Sequence, residues 1–481
     1  MTVVLDGRSL HRDDLVRVAR EKVAVALDPN AASAMAEAHA IVLEAAAAGR
    51  PVYGVTTAVG VLKRVAVAEP DGAAYSSRMI RHHLVGQGEA APRDVVRAAM
   101  LRLANAFAGG TTGVRPALAE RLIKALNDGE TPRVRRLGSV GQADLAAMAD
   151  LAQGLFGDVE LEAGEGLSLV SSNAFSSGWA ALAVSDAGRL VETLDTSGAL
   201  SLEGLGGNPA ALDPVIATTR PYPGIGRSLE RLSALLDGSA IFAADGARNL
   251  QDPLTFRNLP HIQGAARDAL EHVESLLDIE LNASDSNPVV IRGERRLVGV
   301  ANFEILPLAA ALDYLRIVLA TVIGASAERA LKLLETPWSG LPTGLVPTGL
   351  VPSKDTSHPG LSYLGIAGQA LAAEARLLAQ PVSFELTSTA HAEGIEDRTT
   401  MAPLAARRLA EEVALGERVA AIELTVAAQA AELRGRPLGR GTAAALARIR
   451  EVVPHLDAEH EVPDVEPLVE LVRTGAFGGS V

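Results

Sequence analysis

The stretch TPRVRRLGSVGQADLAAMADL, residues 131–151, decides the fold: it runs from a basic, proline-containing loop through a glycine-rich turn into a helix. Apolar residues recur at helical spacing from Leu145 to Leu151, which predicts that the helix begins near Asp144. A glycine-rich loop at a helix N-terminus presents backbone N–H groups and the positive end of the helix dipole to an anion or a developing negative charge. The alternative is that Gly138 and Gly141 only shape a tight turn, because short glycine motifs are common.

The composition indicates a large soluble protein. The 481 residues are 48% hydrophobic, which is enough to bury a large core as one long domain or as two to three smaller ones. Lysine plus arginine number 44 against 58 aspartates and glutamates, and the net charge of −14 argues against nucleic acid or an anionic membrane as a partner. The absence of cysteine excludes disulfides, thiolate metal sites and cysteine nucleophiles.

Other absences in the sequence lead to further expectations. The N-terminus has no apolar segment of signal-peptide length, and no apolar run reaches the ~18 residues of a membrane span. No metal-ligand spacing and no phosphate-binding loop occur. We therefore expect a cytoplasmic protein that uses no metal.

Periodic patterns predict a mostly α protein. Residues 3–5 and 23–27 are predicted to be short extended segments, and Asp28 is predicted to cap a helix that has Pro29 at its first position. A long apolar helical pattern at residues 308–333 is typical of the core of a helix bundle. We expect an N-terminal domain of residues 1–200, followed by a central bundle of long helices and C-terminal helices in residues 201–481.

The opening stretch resembles the active-site segment of the aromatic amino acid ammonia-lyases, which act on histidine, phenylalanine or tyrosine, and of the related aminomutases. The family pattern is GSVG, then Ala-Ser-Gly, then DLAPLAH; in this chain GSVG is followed by Gln142-Ala143 and then Asp144. The similarity continues in order and with similar spacing from about Val3 to Arg473. It implies a histidine ammonia-lyase-like fold and a homotetramer whose active sites are built from several subunits.

The missing tripeptide concerns the family's prosthetic group. In the family, Ala-Ser-Gly cyclises and loses water to form methylidene-imidazolone, the electrophile that activates the substrate. This chemistry needs a serine hydroxyl as leaving group and an unhindered glycine nitrogen as nucleophile. Residues 141–144, namely Gly141, Gln142, Ala143 and Asp144, supply neither, so we expect a degenerate prosthetic-group loop and no cofactor.

Three residues are predicted to be catalytic from their family segments. Tyr53 lies in VYGVTTAVG, which is similar to the family loop that carries the catalytic base; His83 lies in a segment similar to SHxxGxG; and Glu396 matches the glutamate of the family's Gln-Glu-Asp-His run, which recognises or deprotonates the substrate amine. A tyrosine pKa near ~10 would have to be lowered by positive charge or N–H donors for this role. The alternatives are an anchored loop tyrosine and a structural histidine.

Further residues are predicted to bind substrate because they fall in other matched segments. Arg257 is expected to hold a carboxylate through two parallel hydrogen bonds, and its alternative is a surface ion pair. Glu304 and Arg398 stand where the family has histidines, and Leu254 stands in place of a second tyrosine. The predicted substrate-binding set is Arg257, Gln251, Asn302, Phe303, Ser171 and Asn173.

Three functions are compatible with these residues. The first is a lyase-like enzyme without methylidene-imidazolone that acts on a small carboxylate or amino-acid-derived substrate through proton transfer by Tyr53, in an elimination, addition or isomerisation. Because an unactivated ammonia leaves slowly, a better leaving group or a more acidic C–H is expected in the substrate. The second is a non-catalytic homologue that binds a ligand or a partner. The third is an ordinary aromatic amino acid ammonia-lyase.

Overall fold

The computed structural model describes residues 2–68, 72–347, 359–384, 394, 396–456 and 462–479. Over these residues the protein is mostly α-helical, with only short strands, which confirms the predicted fold class. The chain forms two compact units. Unit 1 comprises Met1–Ser185, Val273–Asp313 and Pro381–Arg407, and unit 2 comprises Asp186–His272, Tyr314–Gln380 and Arg408–Val481. The division expected at residue 200 stays a prediction.

The strands of unit 1 form two-stranded pairs. The predicted extended segments near the N-terminus are confirmed as a parallel pair in which Val3 lies opposite Val25. The other two pairs are antiparallel. The strands are β1 (Val3–Leu5), β2 (Val25–Leu27), β3 (Gln87–Ala90), β4 (Arg135–Leu137), β5 (Val289–Ile291) and β6 (Arg296–Val298).

Among the described residues, the helices that lie wholly in unit 1 come from its first segment, Met1–Ser185. Asp28 caps the second of them as predicted: its carboxylate accepts hydrogen bonds from the backbone N–H of Asn30 at 2.8 Å and of Ala31 at 3.1 Å. These helices are α1 (Arg12–Glu21), α2 (Pro29–Ala47), α3 (Gly72–His82), α4 (Arg93–Ala108), α5 (Pro116–Asp128), α6 (Leu145–Phe156) and α7 (Glu165–Val170). One face of α2 packs its apolar side chains with Val55 and Val290 in a small core, which fixes the chain on either side of Tyr53.

Four long helices include residues of both units: α8 (Ala174–Leu205), α12 (Leu259–Glu280), α13 (Leu306–Leu334) and α16 (Ala402–Arg434). Helix α13 covers the predicted apolar pattern and is long and apolar enough to cross a membrane by length and composition alone. However, 61% of its most apolar window is buried within the protein, and core helices of soluble proteins pass the same test.

Unit 2 has its own core of leucine, alanine and other aliphatic side chains. Alanine lets helix backbones approach closely and has the highest helix propensity, which suits this type of core. The helices wholly in this unit are α9 (Val215–Thr219), α10 (Pro223–Leu235), α11 (Leu254–Arg257), α14 (Thr336–Ser339), α15 (Ser362–Leu378), α17 (Arg440–Arg450) and α18 (Glu466–Arg473).

Candidate active site

Unit 1 contains a cavity of about 350 Å³ that collects side chains from distant parts of the sequence. Six of the predicted site residues line it, and each comes from a different segment of the chain. They are Tyr53, His83, Gln142, Ser171, Phe303 and Glu396. The remaining lining residues are Val59, Gly60, Gly138, Val140, Leu145, Leu167, Asn287 and Arg398. The cavity is therefore apolar over much of its wall, with acidic, basic and aromatic groups at defined positions.

Tyr53 lies in a turn that follows α2. The turn is held by the Val52 carbonyl, which accepts the backbone N–H groups of Val55 and Thr56 at 3.1 and 3.0 Å. The phenol oxygen of Tyr53 accepts the N–H of Gly60 at 3.0 Å. Burial raises the pKa of the Tyr53 phenol, and the negative charge of Glu396 raises it too, whereas the Gly60 N–H opposes the rise. The lowered pKa that a basic tyrosine needs is thus not found in this chain alone, and the phenol is protonated at neutral pH.

His83 follows the end of α3 and presents one ring nitrogen for proton transfer. Its Nδ1 lies 2.8 Å from the backbone carbonyl of Met79. A carbonyl can only accept, so Nδ1 carries the proton and the neutral ring keeps its lone pair on Nε2. Because His83 lines the cavity, it can accept a proton from a molecule bound there.

The degenerate loop is anchored by its backbone. The Gly141 carbonyl accepts hydrogen bonds from Thr400 Oγ at 2.9 Å and from Asn173 Nδ2 at 3.4 Å. Gly141 has φ +85°, and a Cβ there would lie 2.2 Å from Thr400 Oγ, so only glycine fits. Asn173 is buried and supports the loop rather than lining the cavity. Its predicted contact with substrate stays a prediction.

Gln142 occupies the part of the loop where the family's tripeptide begins. Its side-chain amide donates to Glu304 Oε2 at 2.9 Å, and Ala143 is buried with a positive φ of 55°. Neither residue carries a hydroxyl that could leave, so these residues do not fit the formation of methylidene-imidazolone. Among the described residues, no group of three His, Asp or Glu side chains is arranged to hold a metal ion. That the chain uses no cofactor stays a prediction.

Asp144 caps α6, which confirms the predicted start of this helix. Its side chain is fully buried; Oδ2 accepts the N–H of Ser176 at 2.7 Å, whereas Oδ1 has no partner among the described residues. Burial raises the pKa of the Asp144 carboxyl to about 7, and the charge of Asp285 adds to the rise. The Asp144 carboxyl can therefore hold a proton near neutral pH.

We expect Asp144→Asn to make stability less sensitive to pH. An unfolded aspartate ionises near 3.8, so between pH 4 and pH 7 the unfolded chain releases a proton that the folded chain keeps. The wild-type protein should lose a few kcal/mol of stability across this window as pH rises, and the variant should not. Urea unfolding of both proteins at several pH values measures the difference. Asp128→Asn, at an exposed position paired with Lys124, is the control, and parallel curves for wild type and Asp144→Asn would contradict the expectation.

Several predicted substrate-binding residues lie outside the cavity lining. Asn302 is exposed in unit 1. Gln251 and Arg257 are exposed in unit 2, where Arg257 Nε donates to the Asp252 carbonyl at 2.8 Å. Their roles stay predictions.

Sequence reasoning missed Arg398 and Asn287 as cavity residues. Asn287 Oδ1 accepts the N–H of Val300 at 3.0 Å. Its signal was its place in ELNASDSNP, residues 280–288, which resembles the family's ELNSxTDNP segment. Arg398 had a signal: it stands where the family's Gln-Glu-Asp-His run has its histidine, two residues after Glu396.

Comparison with solved structures places this fold among the ammonia-lyases and aminomutases. The ergothioneine-degrading enzyme ergothionase from Treponema denticola matches with a TM-score of 0.90 and 28% identity, and the match covers 99% of each chain. Tyrosine aminomutase from Streptomyces globisporus matches with a TM-score of 0.90 and 26% identity over 99% of this chain and 98% of its own.

The chain belongs to the aromatic amino acid lyase family, whose sequence model matches residues 10–162 and 158–451. Curated relatives extend over nearly the whole chain. Histidine ammonia-lyase from Symbiobacterium thermophilum is 34% identical over 100% of this chain and 98% of its own length. Histidine ammonia-lyase from Gloeobacter violaceus is 34% identical over 98% of this chain and 96% of its own. The family resemblance inferred from the motifs is thereby confirmed.

Proposed function

We propose that this protein eliminates an amine from a small amino-acid-derived carboxylate without methylidene-imidazolone. The observation that carries the proposal is the cavity itself, which combines Tyr53, His83 and Glu396 beside a loop that has no hydroxyl to lose. A base removes a proton from carbon, the C–H electron pair forms the double bond, and the amine leaves with the electrons of the C–N bond. Tyr53, with His83 Nε2 as the second acceptor in the cavity, performs the proton transfer.

The leaving group follows from the chemistry of nitrogen. A primary ammonium has acidic N–H protons, so a base able to remove a C–H proton takes an N–H proton first and leaves a neutral amine that departs poorly. A quaternary ammonium has no N–H proton and departs as a neutral tertiary amine. It therefore needs no electrophile to activate it, and we propose a substrate with such a group.

The cavity offers the groups that bind a quaternary ammonium. Aromatic faces attract such cations through cation–π interactions, and a carboxylate adds Coulomb attraction. Tyr53, Phe303 and Glu396 line the same cavity and supply both. The similar structure from Treponema denticola is that of an ergothioneine-degrading enzyme. Ergothioneine is a betaine, an amino acid derivative whose amine is a quaternary trimethylammonium, and this supports the choice of substrate class.

The experiment described below also tests two alternative functions. A non-catalytic homologue that binds a ligand or a partner agrees with the loss of the tripeptide and of the tyrosine at Leu254. An ordinary aromatic amino acid ammonia-lyase agrees with the 34% identity to histidine ammonia-lyases. We further propose a cytoplasmic homotetramer whose small-molecule sites are completed by neighbouring subunits, with Arg257, Gln251 and Asn302 contributed to them.

We expect the purified protein to convert a quaternary amino-acid betaine and to leave the corresponding primary amino acids nearly untouched. The assay incubates the enzyme in deuterated buffer with ergothioneine, histidine, phenylalanine and tyrosine. Mass spectrometry then reports elimination products and deuterium uptake together. Intact-mass measurement of the same preparation is the control for the prosthetic group, because cyclisation would lower the mass by the water lost.

Two other outcomes of this assay would favour the alternative functions. Efficient ammonia release from histidine, phenylalanine or tyrosine would contradict the proposal and favour the ordinary ammonia-lyase. No turnover or exchange, combined with stabilisation by a ligand in a thermal shift experiment, would favour the binding role.

A further inference from the structure

Unit 2 contains a second cavity, of about 180 Å³, lined by residues of α8, α10, α17 and the segment that follows α18. Every residue that lines it belongs to unit 2, and none of them lines the cavity that contains Tyr53. Its volume is far above the roughly 10–15 Å³ that one water molecule needs. The cavity is therefore large enough for a small molecule.

One face of α17 lines this cavity. Gly441, Ala444, Ala445 and Arg448 follow one another at helical spacing i, i+3, i+4 and i+7, so they lie on the same side of the helix. The first three have no side chain or only a methyl group, which leaves space beside the helix. The guanidinium of Arg448 is the charged group of this face.

The wall formed by residues 476–479 is fixed by side chains of two other helices. Arg231 Nη1 donates to the Gly479 carbonyl at 2.8 Å, and its Nη2 donates to the Phe477 carbonyl at 3.0 Å. Thr196 Oγ1 donates to the same Phe477 carbonyl at 3.0 Å. This wall therefore has a defined position, and the cavity has a defined shape.

The cavity is lined by two arginines and by no carboxylate. Arg231 Nε lies 3.7 Å from Asp195 Oδ2, which also accepts a hydrogen bond from Arg267, so one buried carboxylate faces two guanidinium groups. Arg448 Nη1 donates to the Ala476 carbonyl. In the part of the chain that the structure describes, no acidic side chain forms an ion pair with Arg448. The cavity thus has an excess of positive charge, which attracts an anion.

Apolar side chains complete the lining. Leu235, Ala445 and Phe477 are buried and line the same cavity as the arginines. An apolar wall gains free energy when it covers a hydrocarbon group, whereas a guanidinium binds a carboxylate through two parallel hydrogen bonds. The combination matches an organic carboxylate with an apolar body better than it matches an inorganic anion.

We propose that this cavity is a second ligand site, that it binds a small organic carboxylate with an apolar body, and that Arg448 holds the carboxylate. Arg231 keeps the opposite wall in place and adds positive charge. The site does not depend on the proposed function, because it shares no residue with the cavity of unit 1.

The test measures binding to the full-length protein by titration calorimetry. The probes are benzoate, its neutral analogue benzamide, and inorganic phosphate. The wild type should bind benzoate at least about tenfold more tightly than the other two probes. Arg448→Gln should weaken benzoate binding by about tenfold and leave benzamide binding nearly unchanged, because a lost charge-assisted pair affects only the anion.

Two pairs of variants on α17 separate the site from general effects on the helix. Arg440→Gln is the control for charge, since this arginine pairs with Asp237, is 82% exposed and does not line the cavity. Ala444→Leu should weaken benzoate binding because the larger side chain fills the cavity. Ala443→Leu adds the same bulk at an exposed neighbour outside the lining and should leave binding unchanged.

Glu192 provides a test of opposite sign. Its Oε2 accepts the N–H of Gly479 at 3.3 Å, so a negative charge lies beside the wall without lining the cavity. Glu192→Gln should therefore tighten benzoate binding several-fold.

Three results would overturn the inference: no preference for benzoate over benzamide in the wild type, unchanged benzoate binding in both Arg448→Gln and Ala444→Leu, or equal weakening by Ala443→Leu and Ala444→Leu. The second result would place the bound benzoate elsewhere, for example in the cavity of unit 1. A failure of the proposed function is distinguishable from all three, because these titrations do not depend on turnover.

Discussion

Replacing Tyr53 by Phe is expected to lower the turnover of the betaine substrate roughly 10²–10⁴-fold, the usual contribution of a positioned acid–base group. The phenol oxygen is held by the Gly60 N–H at 3.0 Å inside the cavity, so the variant removes the proton-transfer atom and retains the ring. The measurement compares the rate of product formation and of deuterium exchange in the two proteins. A thermal shift experiment with ergothioneine should show that ligand binding persists in Tyr53→Phe.

The pH profile identifies the role of this tyrosine. The pKa of Tyr53 is raised by burial and by Glu396, and the active form of a base is the deprotonated one. The wild-type rate should therefore rise with pH and continue to rise beyond 10, the ordinary value for a phenol. Tyr53→Phe should lose this alkaline rise. If His83 alone accepted the proton, Tyr53→Phe would keep the wild-type rate and profile, and the assignment of Tyr53 would be wrong.

Arg329→Met is expected to destabilise unit 2 by roughly 3–5 kcal/mol, because it leaves a buried carboxylate without its cation. Arg329 donates to Glu423 through Nε at 2.6 Å and Nη2 at 2.9 Å, and both side chains are completely buried. Three serine hydroxyls, those of Ser197, Ser201 and Ser326, also donate to this carboxylate at 2.6–2.7 Å. Three neutral donors cannot replace the charge of the guanidinium.

Urea unfolding followed by tryptophan fluorescence measures this loss of stability. The matched control is Arg440→Met, which breaks the pair with Asp237 at a site where the arginine side chain is 82% exposed, so the midpoint should hardly change. The double variant Arg329→Met/Glu423→Leu should recover much of the lost stability, since it removes both charges. Equal destabilisation by Arg329→Met and Arg440→Met would show that burial does not decide the cost.

Much of the fold could be predicted because its causes are local. The helical spacing after Asp144, the Asp28-Pro29 helix start and the first two strands depend on residues that are near one another in sequence. The family resemblance extended the fold prediction from these elements to the whole chain. The candidate site was predicted in part, because six residues identified from the motifs line one cavity: Tyr53, His83, Gln142, Ser171, Phe303 and Glu396.

The contacts within the site could not be predicted because they join distant segments of the chain. Gln142 and Glu304 are 162 residues apart and share a hydrogen bond, and Arg398 reaches the same carboxylate from a third segment. The pKa of Tyr53 is raised by burial and by the charge of Glu396, and no pattern in the sequence around Tyr53 reveals either cause. The side-chain amide of Asn173 donates to the Gly141 carbonyl, and the two residues are 32 positions apart in the sequence.

The sequence by itself determined the class of fold, the order of its helices and the lack of a serine and glycine at residues 142–144, because backbone preferences and covalent chemistry are properties of neighbouring residues. Only the tertiary structure decided which charges share a cavity and which carboxyl groups are buried. Desolvation and Coulomb interactions act through space between atoms a few ångströms apart, and the chain brings those atoms together only when it folds.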